Sequence, residues 1–157
     1  MGRGYVYKCK KCQNEYTVSF GAGFMCPEEY QSMLKDIAFG KYGEEWKDAL
    51  TNTPGAAINA ERVIYICNSC NTWEEGRDIT LYAPNNQEIT AAAEKLGLVS
   101  YVMGSDLKSD YHAIKRYYKK CNKCGKRMHK ATTHEIENLS CPKCGIINEV
   151  SDMFFWD

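Results

Sequence analysis

The spacing of apolar residues changes period along the chain and predicts where helices give way to strands. After Pro27, which suits a first helical position, Glu28 and Glu29 fill the first turn, and Tyr30, Met33, Leu34 and Ile37 recur at i, i+3, i+4 and i+7. That pattern predicts a helix stopped by Gly40. Beyond Gly43, the run from Glu44 to Leu50 predicts a second short helix with Trp46, Ala49 and Leu50 on its apolar side, broken by Thr53-Pro54-Gly55. The period then shortens. Ile58, Val63, Ile64, Tyr65 and Ile66 predict a strand over 57–67, with 72–82 returning as its hairpin partner. Asn85 followed by Glu88 resembles a capping box opening a helix over 86–96 that carries Ile89, Ala92, Ala93 and Leu96 inward and stops at Gly97. Segment 98–103 is short and apolar, and reads equally as a strand or as packing against that helix. Aromatic and basic residues alternate over 111–120, which reads as a strand with a helix as the second choice. The ending Met153-Phe154-Phe155-Trp156 predicts a final strand laid over a C-terminal site.

Elements this short bury little on their own, and the cysteines supply what they lack. Eight of the nine fall into Cys-x-x-Cys pairs, Cys9/Cys12, Cys67/Cys70, Cys121/Cys124 and Cys141/Cys144. Two sulfurs three residues apart face one ion when the backbone between them turns tightly, so four pairs amount to two four-thiolate sites with two zinc ions. Sixteen residues separate Cys124 from Cys141, close to a compact site, whereas 54 separate Cys12 from Cys67. Sequence order therefore favours pairing the first knuckle with the second and the third with the fourth. Joining Cys9/Cys12 to Cys141/Cys144 satisfies the same arithmetic. The residue after each knuckle commonly takes a left-handed conformation, which Gly125 and Gly145 adopt cheaply, Asn71 tolerably and Gln13 least well.

These knuckles resemble the zinc-ribbon group with its rubredoxin-like knuckles, most closely over 118–156. The opening Tyr7-Lys8-Cys9-Lys10-Lys11-Cys12 resembles the N-terminal ribbon of small bacterial regulators, and the chain as a whole is similar to uncharacterised bacterial double-ribbon proteins. The resemblance implies zinc held by Cys121, Cys124, Cys141 and Cys144, with no established activity attached. Iron is the alternative ion, because rubredoxin-type knuckles accept it. The resulting expectation is an α+β fold: an N-terminal zinc ribbon over 1–84 with a helical insertion at about 27–51, a bridging helix and linker over 85–110, and a C-terminal ribbon over 111–157.

Composition changes this picture little. Of 157 residues, 44% are apolar and 25% charged, with 20 Lys+Arg against 20 Asp+Glu, so no overall field draws the chain to nucleic acid or membrane. No apolar run reaches membrane-spanning length, and the first residues lack a signal-peptide core. The chain reads as cytoplasmic, where paired cysteines hold metal more often than they form disulfides. One local patch stands out, with Lys115, Arg116, Lys119, Lys120, Lys123, Lys126, Arg127 and Lys130 around Tyr118, and Lys108 just before it. It could present cations to phosphates and a ring to bases, or it could offset the charge of the thiolates. Cys26 reads as a small buried residue beside Phe24 and Met25, with nucleophile as the lesser reading. His112, His129 and His134 read as ordinary surface or strand residues. The expected function is a non-enzymatic adaptor or regulator that engages protein or nucleic acid through its ribbon surfaces. A rubredoxin-like electron-transfer or thiol redox protein is the alternative.

Overall fold

The computed structural model describes residues 2–23, 26–96 and 101–156. Among them the backbone forms nine strands and five helices, gathered into two compact units. The first comprises Met1–Phe24, Arg62–Arg77 and Tyr118–Asp157, and the second Met25–Glu61 and Asp78–Tyr117.

In the first unit, β1 (Gly2–Lys8) lies between β2 (Glu15–Phe20) and β9 (Val150–Trp156), both antiparallel to it. Two glycines make this sheet possible. Gly4 stands opposite Phe154 and Gly2 opposite Trp156, and a Cβ on either would sit 2.1 Å from the Phe154 ring or 2.2 Å from the Trp156 ring. The rings lie over bare backbone, and Trp156 Nε1 donates to the Arg3 carbonyl at 2.9 Å. A second sheet runs β5 (Trp73–Arg77), β4 (Arg62–Ile66), β8 (His129–Lys130). Tyr5, Tyr7, Tyr16, Val18, Ile64, Ile136 and Leu139 form the apolar cluster of the unit. Burying each such side chain contributes on the order of 1.5–3 kcal/mol.

The second unit is built on α1 (Cys26–Ala38), whose Tyr30, Met33, Leu34 and Ile37 are all buried as their spacing predicts. Gly40 follows with φ 79°. The helix α2 (Glu44–Thr51) is held by Trp46, whose Nε1 donates to the Ile79 carbonyl at 3.0 Å. The sheet here runs β3 (Ala57–Ile58), β6 (Leu81–Pro84), β7 (Tyr111–Lys115). Helices α3 (Gln87–Leu96) and α4 (Gly104–Ser109) complete it, with Ala57, Val102, Leu107 and Tyr111 buried together.

Several expectations need correction. The strand over 57–67 is two strands in different sheets, because Asn59 Oδ1 accepts from the Glu61 N–H at 3.0 Å and turns the chain between them. Its partner ends at Arg77, where buried Asp78 accepts from both the N–H and the hydroxyl of Thr80. The strand predicted over 111–120 stops at Lys115. The cap of α3 is Asn86, whose side chain accepts from the Glu88 N–H at 2.8 Å, while Asn85 bonds His112. That helix belongs to the second unit, and the final strand joins β1. The units therefore do not follow the boundaries 84 and 110. Hydrogen bonding explains the difference: β9 returns the end of the chain to its beginning, and β8 pairs with β4. Gly97, segment 98–100, Phe24, Met25 and the side chains of Cys26, Ala93 and Leu96 lie outside the described residues.

Candidate metal centres

All four knuckles repeat one backbone pattern. The carbonyl of the first cysteine accepts from the N–H four residues on, from Gln13, Asn71, Gly125 or Gly145, at 2.8–2.9 Å. Its own N–H donates to the carbonyl five residues on, of Asn14, Thr72, Lys126 or Ile146. The four residues whose N–H groups donate to the first cysteine all have positive φ, 57° at Gln13, 52° at Asn71, 71° at Gly125 and 77° at Gly145. The left-handed step expected after each second cysteine is present throughout, including at Gln13.

The knuckles are nested rather than paired in sequence order. Cys9 and Cys12 meet Cys141 and Cys144, and Cys67 and Cys70 meet Cys121 and Cys124; within each set all sulfurs lie within 4.8 Å of one another. This corrects the expected pairing, and tyrosines supply the reason. The Tyr7 hydroxyl donates to the Ile136 carbonyl and that of Tyr16 to the Leu139 carbonyl, so β1 and β2 hold the segment that delivers Cys141. Their rings stack at 4.8 Å with planes 6° apart. In the other set, β4 pairs with β8, and the Glu74 carboxylate accepts from the backbone and side chain of Asn122, at 2.8 and 2.7 Å, inside the third knuckle. Asn148 performs the like service for the first knuckle, its Oδ1 accepting from the Lys10 N–H at 3.2 Å.

A signal for this arrangement is present in the chain. The knuckles joining long hairpins, β1 to β2 and β4 to β5, end in Gln13 and Asn71. The short knuckles, closed by the bridges Lys120–Arg127 and Ser140–Ile147, end in Gly125 and Gly145. Each centre takes one knuckle of each kind. The positioning roles of Tyr7, Tyr16, Thr72, Glu74 and Asn148 had no sequence signature of their own.

The sulfur separations fit metal. Cys9 and Cys144 are 3.4 Å apart, Cys12 and Cys141 3.7 Å, Cys67 and Cys124 3.4 Å, and Cys70 and Cys121 3.6 Å. Four bonds of about 2.3 Å in a tetrahedron place sulfurs about 3.8 Å apart. The electrostatics also fit. Cys9 is brought down to about 6, chiefly by the Cys12 N–H, with help from that of Lys11, and against burial. Cys121 reaches about 6 chiefly through the Thr72 hydroxyl, which also lowers Cys70. Burial pushes Cys141 up, but the N–H groups of Cys144 and Lys143 bring it below the ordinary value. Against an N–H from Lys126, the Cys67 sulfur and burial push Cys124 up to about 11, and against one from Ile146, burial and then the neighbouring sulfurs push Cys144 up to about 11. Each set thus crowds negative charge that a divalent ion would neutralise, and soft thiolates suit zinc or iron.

The basic segment divides between the units. Lys115 is half-buried, with Nζ 4.6 Å from the centre of the Trp46 ring and paired to Glu45, and with Lys108 and exposed Arg116 it belongs to the second unit. In the first unit Lys119 pairs with Glu74 at 3.0 Å. Lys120, Lys123, Lys126, Arg127 and Lys130 are exposed there, with the Arg127 guanidinium 3.3 Å from the centre of the Tyr118 ring. His129 bonds Glu135, which the Thr132 N–H first and His129 second hold at about 2. Cys26 opens α1.

No known family's model matches this chain, and no curated protein or solved structure is similar to it.

Proposed function

We propose that the protein is a zinc-dependent, non-enzymatic binding module of adaptor or regulatory type, working in the reducing cytoplasm. Its two centres form ribbon-like sites of unusual nested order. The observation that carries this reading is the pair of tetrathiol sets at tetrahedral spacing, which use eight cysteines as ligands and leave their thiols to structure.

The partner surface we assign is the third knuckle. Lys120, Lys123, Lys126 and Arg127 are exposed on it, and Tyr118 beneath Arg127 is 48% exposed. Cations beside a stacked ring suit an anionic partner, a nucleic-acid strand or an acidic protein face. Metal analysis should give about two zinc ions per chain, in a colourless protein. Binding to a labelled single-stranded oligonucleotide should weaken steeply with salt and fall when Lys123, Lys126 and Arg127 are replaced by Ala. A salt-insensitive partner recovered by pull-down would move the reading to a protein adaptor, and a chain that takes up no metal would overturn it.

A second reading rests on the exposed Cys124, which brings one sulfur to the surface as electron exchange through an iron centre requires. Visible iron-thiolate absorption from protein produced without added zinc would favour it.

A further inference from the structure

The two centres share their chemistry and differ in protection. Cys9 and Cys141 belong to the apolar cluster around Tyr7, Tyr16 and Leu139, and Cys12 and Cys144 pack against it. The other set stands outside that cluster. There Cys67 and Cys121 are buried, Cys70 is half-buried and Cys124 is exposed, the one exposed thiol among the eight ligands. Exposed Lys123 and Lys126 stand on either side of Cys124 in the knuckle. Such a setting leaves Cys124 accessible to a small oxidant in solution.

We propose that the Cys67/Cys70/Cys121/Cys124 centre is an oxidant-responsive site at which hydrogen peroxide attacks Cys124 first, while the Cys9/Cys12/Cys141/Cys144 centre persists. This rests on the reading that both sets hold zinc. In the first step the Cys124 sulfur forms a bond to one peroxide oxygen and the O–O bond breaks. Sulfur is oxidised by two electrons to the sulfenic acid, and the departing hydroxide takes a proton to become water. A resolving thiol is already in reach, with Cys67 Sγ 3.4 Å and Cys70 Sγ 3.7 Å from Cys124 Sγ. Its thiolate attacks the sulfenic sulfur, the S–S bond forms, the S–O bond breaks, and the hydroxide leaves as a second water. Two ligands are then consumed, and two sulfurs cannot hold a tetrahedral ion. A reductant of the dithiol class reverses the step and restores the site.

The buried set lacks the first event. Its hairpin knuckle is tied through Asn148 and its short knuckle through Tyr16, and its four cysteines are buried or half-buried.

The test uses the full chain loaded with zinc in thiol-free buffer, with bound metal counted before peroxide is added. Released zinc is then followed with a chromogenic chelator, and disulfides are mapped by non-reducing tryptic digestion and mass spectrometry. One zinc should leave about tenfold faster than the other, together with a disulfide joining peptide 63–77 to the tripeptide 124–126. Simultaneous release of both ions, or a first disulfide within the Cys9/Cys12/Cys141/Cys144 set, would overturn this proposal alone. Fewer than two zinc ions at the outset would overturn the zinc reading and this proposal with it.

Discussion

At the scale of single residues, the ligands were legible in the sequence and their partners were not. A Cys-x-x-Cys pair announces itself because the turn that aims two sulfurs at one point is local, fixed by hydrogen bonds within six residues. The left-handed position that closes the turn is equally local, and it carries a stability prediction. Gln13 holds φ 57° without the freedom glycine has, at a strain of about 1–2 kcal/mol, so Gln13→Gly should stabilise the metal-loaded protein by about 0.5–1 kcal/mol. Asn71→Gly should gain less, since Asn tolerates this region, and Gly145→Ala should lose about 1 kcal/mol or more; denaturant titrations measure all three. Proton uptake provides a second test. Cys9 and Cys121, brought down to about 6, are already ionised at pH 7 before any ion arrives. Because these values are lowered, the ionised form is present at neutral pH and lost as pH falls through about 6, so metal affinity should drop more steeply below that pH than above it. Calorimetry in buffers of different ionisation heat should accordingly find about three or fewer protons released per ion at pH 7. Release of four would mean that no thiol is ionised in advance.

At the scale of elements, the three longer helices announced themselves, while the short helices over Gly104–Ser109 and Thr133–Glu137 and the strand partners did not. The i, i+3, i+4, i+7 spacing of Tyr30, Met33, Leu34 and Ile37 specifies a buried face with no knowledge of what covers it. A strand's partner lies outside its own sequence, and here it was decided by distant contacts: Tyr7 and Tyr16 reaching the 136–139 segment, and β9 reaching β1. The breaks at Asn59 and Asp78 came from side chains bonding their own backbone, a choice made between nearly equal alternatives. The aromatic end of the chain shows what such pairing requires. Gly4 accepts the Phe154 ring only because it has no Cβ. Gly4→Ala should therefore displace β9 and destabilise the protein by about 1–3 kcal/mol, an overpacking effect. Pairing it with Phe154→Ala should cost less than the two single changes together, since removing the ring removes the clash. Strict additivity in thermal unfolding would show that ring and glycine do not meet. Tyr16→Phe offers a complementary test of the nested pairing. Loss of its bond to the Leu139 carbonyl, 2.9 Å long and buried, should cost about 1–2 kcal/mol and speed chelator removal of one metal more than the other.

At the scale of the whole molecule, the balanced charge conceals a separation that only the fold reveals. The first unit carries 13 Lys and Arg against 8 Asp and Glu, a net of +5, and the second 7 against 12, a net of −5. Each tetrathiolate zinc brings a formal charge of about −2, so two loaded centres leave the first unit near about +1. Much of its basic excess thus balances sulfur, and exposed cations remain on the first, third and fourth knuckles, most of them around the third. Removal of metal should act on one unit. Without ions, eight thiols crowd two points, and the apolar cluster of Tyr5, Tyr7, Tyr16 and Ile64, with the pairing of β1 to β9 and of β4 to β8, is left to tie three separate chain segments. Structural zinc contributes about 10–16 kcal/mol of binding free energy in small domains, comparable with or larger than the whole stability of most. The second unit contains none of the eight ligands and buries its own Tyr30, Ile37, Ile58 and Leu81. Hydrogen exchange after chelation should therefore show β1, β4 and β9 losing protection while α1 and β6 keep theirs, with most of the helical circular dichroism retained. Uniform loss of protection across both units would show that they unfold as one cooperative body, and unchanged protection in β1 and β4 would remove the metal from its structural role.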